Sequence, residues 1–128
     1  MTQTLHRDIT DKNFDEVDER LRKTLADNGF GIITEIDVTA TFKKKLDVDF
    51  RRYTILGACN PGFAHKALEH DLQIGTLLPC NVCLYEDDAG TVVIDAVDPV
   101  QLLPTDSPQL KDVADTVRKS ILAAIEAV

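Results

Sequence analysis

The sequence predicts an α+β fold: a two-layer sandwich with about five strands in a mixed sheet and helices packed on one face. Three observations predict it. Short β-branched runs alternate with stripes at helical spacing, in the order β-α-β-α-β-α-β-β-α. The last two strand-like runs are separated only by Glu86-Asp87-Asp88-Ala89-Gly90, so at least one pair is an antiparallel hairpin. The last helical stripe, Leu110, Val113, Val117, Ile121 and Ile125, is long and needs an apolar face to lie on.

Residues 5–9 alternate weakly and read as a first strand. Asn13 is a natural N-cap, with Glu16 three residues on as its reciprocal partner. Phe14, Val17, Leu21 and Leu25 follow on one helical face, and Asp15, Glu16, Asp18, Glu19 and Arg20 take the wet side. Asn28-Gly29 ends this helix, with Phe30 placed to fold back as in a Schellman closure. Residues 31–36 carry Ile32, Ile33 and Ile36 and read as a strand.

A short helix is expected over 39–46, with Phe42 and Leu46 one turn apart. Residues 52–59 form a strand with Tyr53, Ile55, Gly57 and Cys59 on one face. Asn60 caps the next helix and Pro61 takes its first position, where a missing N–H costs nothing. Phe63, Ala64, Ala67 and Leu68 are its stripe. Residues 72–79 read as an apolar loop, 80–85 and 91–97 as the hairpin strands. Asp98-Pro99 opens a turn of helix through Leu103, and Ser107-Pro108 opens the last helix.

At 128 residues the chain reads as one domain, 1–128, able to bury a core without a covalent staple. It is 44% hydrophobic and 28% charged, the balance of a globular protein. No apolar run is long enough to span a bilayer. The start, Met1-Thr2-Gln3-Thr4-Leu5-His6-Arg7-Asp8, lacks the basic-then-apolar order of a signal peptide. A cytoplasmic location with reduced thiols is therefore expected. The net charge of −8 argues against nucleic acid, which needs a basic footprint. Lys43-Lys44-Lys45, with Arg51-Arg52 nearby, reads first as a solvated helix end and second as a small anion site.

Two segments stand apart. Leu56-Gly57-Ala58-Cys59-Asn60-Pro61 and Leu77-Leu78-Pro79-Cys80-Asn81-Val82 each join an apolar run to a Cys-Asn step beside a proline. Cys59 sits just before a helix N-terminus, a position that favours thiolate, whereas burial would oppose it. Cys80 opens the next strand. If those strands are parallel, the two cysteines lie at opposite sheet edges; if antiparallel, they can be neighbours. Cys80 and Cys83 have a redox-motif spacing, but residues three apart on a strand point to opposite faces, so the pair does not chelate. Cys83 is expected to face the core as an inert thiol.

His65 and His70, five apart on a helix, are poorly spaced for chelation. No four-ligand zinc set, Gly-rich phosphate loop or catalytic motif is present, so no cofactor, no metal and no catalytic residue are expected.

On the two Cys-Asn segments, and on Gly29-Phe30-Gly31 and Thr34-Glu35-Ile36-Asp37-Val38, the chain resembles the bacterial and archaeal domain of unknown function 302. The resemblance runs from the first helix through the Asp98-Pro99 turn, and Cys83 lies beyond the matched segments. It implies a small α+β fold, a dimer, and no established activity. The apolar inventory also suggests a homodimer: Tyr53, Phe63, Leu77 and Leu78 exceed what one sheet face obviously buries.

Two functions are carried forward. The first is a non-catalytic binding or interaction protein, with a pocket for a small-molecule ligand built by Cys59, Asn60 and Pro61 on one side and Leu77, Leu78, Pro79, Cys80 and Asn81 on the other. The alternative is sulfur transfer or redox sensing through Cys59 or Cys80. The first is preferred because nothing in the sequence supplies a general base.

Overall fold

The computed structural model describes residues 4–103 and 106–128. Met1, Thr2 and Gln3, used above in reading the N-terminus, lie outside them. The elements are β1 (Thr4–Ile9), α1 (Phe14–Asp27), β2 (Gly31–Asp37), α2 (Val38–Leu46), β3 (Tyr53–Cys59), α3 (Pro61–His70), a 3-10 helix (Leu72–Leu77), β4 (Cys80–Glu86), β5 (Val92–Val97), α4 (Pro99–Leu102) and α5 (Pro108–Glu126). The α+β sandwich stands as predicted.

Local signals explain the boundaries. Asn13 accepts from the Glu16 N–H at 2.9 Å, and the Glu16 carboxylate accepts from the Asn13 N–H at 3.4 Å, a capping box. The helix closes as a Schellman turn, with Phe30 N–H donating to Leu25 and Gly29, at φ 88°, donating to Ala26. The expected loop 72–79 is instead a 3-10 helix over its first six residues, capped by Asp71 and anchored by buried Ile74.

The sheet order is β1-β5-β4-β3-β2, and all four pairings are antiparallel. This corrects the expected mixed sheet. A helix between two strands need not be a crossover. Here α3 and the 3-10 helix fold against each other and return the chain to the end of the sheet it left, so Ala58 pairs with Cys80.

Alternation then sorts the side chains. Leu5, Ile9, Leu56, Ala58, Cys80, Val82, Leu84, Ile94 and Ala96 face α1 and α5 and form the core with Val17, Leu21, Ile121 and Ile125. The other face of the sheet is not covered by α1 or α5. Cys83 belongs to that open face, with Tyr53, Ile55 and Tyr85; this corrects the expectation that it faces the core. The reason is parity: Cys80 points inward, so Cys83 cannot.

Arg7 is the one charged side chain of β1 on the core face. Its guanidinium donates to the carbonyls of Ile125, Glu126 and Val128 at 2.7, 2.8 and 3.0 Å, satisfying the C-terminal end of α5. The helix is thereby tied to the sheet at one end. Midway along it, Arg118 pairs with buried Asp98 at 3.2 Å, and Asp98 caps α4 by accepting from Val100.

Candidate functional site

Because β3 leaves and β4 enters at the same end of the sheet, both Cys-Asn segments meet there. Asn60 caps α3 by accepting from the Phe63 N–H at 3.3 Å, and Pro61 takes the first helical position. α3 then runs alongside α5, and the 3-10 helix and α4 complete a wall. These elements enclose a cavity of about 350 Å3. Its lining is apolar: Phe30, Phe63, Leu68, Leu78, Leu102, Val113 and Val117 stand around it, and Cys59, Asn60 and Cys80 are its polar points. None of the lining residues is charged. A larger depression, about 500 Å3, lies between α3 and α5 but is edged by Lys66, Glu69, His70 and Asp112.

Of the residues singled out from sequence, Cys59, Asn60, Pro79 and Cys80 line the apolar cavity, with Leu78 beside them. Pro61 and Asn81 do not: both are exposed, and Asn81 borders a separate hollow of about 220 Å3 with Thr76, Leu77 and Val97. The sequence reading missed the walls from α3, α4 and α5. Their signal was present as the stripes Phe63-Ala64-Ala67-Leu68 and Val113-Val117, read there simply as core.

The two thiols differ. Cys80 is 9% exposed, and burial pushes its pKa up to about 11, with the charge of Cys59 adding to the rise. It is a neutral thiol near neutral pH. Cys59, at the end of β3, is half-buried.

Three of the five basic residues of the 43–52 cluster are paired with carboxylates. Lys43 pairs with Asp47 and Asp49, Arg51 with Asp88, and Arg52 with Asp15 while lying over the Phe14 ring.

Residues 6–128 match the family model described as Domain of unknown function DUF302. The chain belongs to the DUF302 family. The DUF302 match extends beyond the Asp98-Pro99 turn, through α5. The fold is similar to a crystal structure described as that of an uncharacterized conserved protein DUF302 from Bacillus stearothermophilus. That similarity has a TM-score of 0.85 at 30% identity, over 96% of this chain and 97% of that one. No curated protein matches the chain. No helix among the described residues is long and apolar enough to cross a membrane.

The open face of this DUF302 sheet carries a second group. His6 reaches Asp95 through Nδ1 at 2.6 Å and Asp8 through Nε2 at 2.9 Å. Carboxylates only accept, so both contacts are hydrogen bonds when both ring nitrogens carry a proton, and the pair of carboxylates favours the imidazolium form of His6. The hydrogen bond to Asp95 raises its pKa above the usual 6.5. Burial opposes ionisation of Asp95, but donation from Tyr85, His6 and Thr4 outweighs it and lowers its pKa. The same bond pushes Tyr85 up to about 12. Tyr85 stacks on Tyr53 with ring centroids 4.9 Å apart.

The signs of these shifts set a pH profile. The His6 contribution is fully present below its unfolded pKa of about 6.5 and is lost as pH rises through the folded value. The Asp95 contribution stands above the unfolded value of about 3.9 and is lost as pH falls through the lower folded one. Melting temperature should therefore fall on the alkaline side, and His6→Gln should remove that fall. A wild-type-minus-variant difference that stays constant from about pH 5 to about pH 9 would refute the assignment.

Proposed function

We propose that this protein binds an uncharged, mostly apolar small molecule in the cavity between α3, α4 and α5, without catalysis. The observation that carries the reading is a lining with no charged residue and few polar points, of a size typical of ligand sites. An ionised ligand would lose its hydration there with no counter-charge to replace it. Asn60 offers amide N–H groups at the rim, since its side-chain oxygen is occupied as the α3 cap. A ligand with one carbonyl or hydroxyl oxygen at its end suits that geometry.

Sulfur transfer or redox sensing fits less well at Cys80, because burial holds that thiol neutral and a thiolate is the nucleophile.

The test uses n-alkanols of increasing chain length, titrated calorimetrically into the protein. We expect saturable binding that strengthens by about 0.8 kcal/mol per added CH2 until the cavity is full. Ala64→Phe, which puts a ring into the space from the α3 wall, should abolish binding and keep the circular dichroism spectrum. Absence of saturable binding across the series, or equal binding by a folded Ala64→Phe variant, rejects the reading.

A further inference from the structure

We propose that Cys59 and Cys80 together form a two-thiol site for a trivalent organoarsenical, R–As(OH)2, whose arsenic bonds to both sulfurs while its organic group R fills the apolar cavity.

The proposal rests on the apolar-ligand reading of that cavity and names what its thiols add. Both cysteines line it. They stand on neighbouring strands: Ala58 pairs with Cys80, and Cys59 is the next residue on β3. They are close enough for the charge of Cys59 to raise the Cys80 pKa. Cys80 is only 9% exposed, yet its thiol has no hydrogen-bond partner among the described residues. Buried polar groups are ordinarily partnered, so an unpaired one in a cavity wall points to a ligand.

Valence and charge select that ligand. Cys83 faces the opposite side of the sheet, so the cavity offers two sulfurs and no third. No histidine or carboxylate lines it. Zinc, which takes four ligands in a closed site, is left short. Copper(I) between two thiolates carries a net negative charge, which a lining without charged residues does not balance. Trivalent arsenic has three valences. Two go to Cys59 and Cys80, and the third keeps its carbon substituent. Two As–S bonds form and two As–O bonds break. Each thiol proton leaves on a hydroxyl oxygen as water, arsenic stays trivalent and sulfur is not oxidised. The free compound and the adduct are both neutral, so no charge is left in the cavity. A phenyl group fits: an engineered apolar cavity of about 150 Å3 already binds benzene, and this one is about 350 Å3.

Phenylarsine oxide, which hydrates to such an R–As(OH)2, is the probe. It is read by native mass spectrometry of the full chain, with millimolar glutathione present as a competing monothiol. We expect one arsenical per chain. Cys59→Ser and Cys80→Ser should each weaken retention at least about 100-fold, because the second As–S bond no longer forms within one molecule. Cys83→Ser should retain the arsenical like the wild type. Inorganic arsenite, As(OH)3, has no carbon group to bury and should be held at least about 10-fold more weakly. Circular dichroism checks that each variant is folded; if Cys80→Ser is not, Cys59→Ser decides. No adduct on the wild type overturns the proposal. So does an adduct that survives loss of Cys59 or Cys80, one lost from folded Cys83→Ser, or arsenite held as well as the phenyl compound. The n-alkanol titration involves no sulfur, so saturable alkanol binding without an arsenical adduct overturns this site and leaves the cavity reading standing.

Discussion

Ile121→Ala should lose about 2–4 kcal/mol of stability in a urea melt, the largest effect expected of a single truncation in α5. Ile121 is fully buried on the α5 face that meets the sheet, in the same core as Val17 and Leu21 of α1 and Leu84 and Ile94 of the sheet. Truncation removes three buried carbons and leaves a void. The surroundings cannot close on it easily, because Ile121 lies between two ties of α5, Arg118 to Asp98 at mid-helix and Arg7 to the carbonyls at the C-terminal end. Val113, half-buried on the cavity wall, is the internal comparison: its truncation enlarges an existing space and should cost less. A loss under about 1 kcal/mol at Ile121 would show that α5 is peripheral to the core.

Gly57→Ala should cost about 1–3 kcal/mol, although it adds a single methyl group. The cause is steric. A Cβ at Gly57 would lie 1.9 Å from Thr34 Oγ1 and 2.7 Å from Pro79 Cγ. Thr34 is the register partner of Gly57 on β2, just past the bulge, and the Pro79 ring comes from the residue before β4. Glycine is what lets β2 and the Pro79 turn close over β3 at the site end of the sheet. Thr34 is exposed, so Thr34→Ala alone should be nearly neutral. In the Gly57→Ala background it should recover part of the loss, the Pro79 contact keeping the rest. Strict additivity in this double-mutant cycle, measured by denaturant melts, would refute the clash.

The elements of this protein were legible because their signals are local. The Asn13–Glu16 box, the Gly29 closure, the Asn60-Pro61 start and the Asp87–Gly90 turn each specify a boundary within a few residues of chain. Period did the same for α1 and α5, whose predicted stripes are the ones that are buried, with Val113 half-buried. The place to look for a site was legible too, in two Cys-Asn steps, and four of the six residues named there share one cavity.

Strand direction was not legible. The chain between β3 and β4 is long enough either to cross the sheet or to double back, and no residue in it decides between the two. That depends on α3 packing against the 3-10 helix, a contact between elements. Once it is made, β3 and β4 are antiparallel, Cys80 faces inward with Ala58, and Cys83 faces out. The cavity has the same origin. Phe63, Leu68, Val113 and Val117 each read as core, because period reports which face of a helix is apolar but not how far apart two such faces come to rest. The sequence by itself determined the elements, their caps and the inward stripes of the long helices, all set by neighbours in the chain. The tertiary structure alone decided which thiol is buried and which space stays open between α3 and α5, because each follows from the pairing of residues distant in sequence.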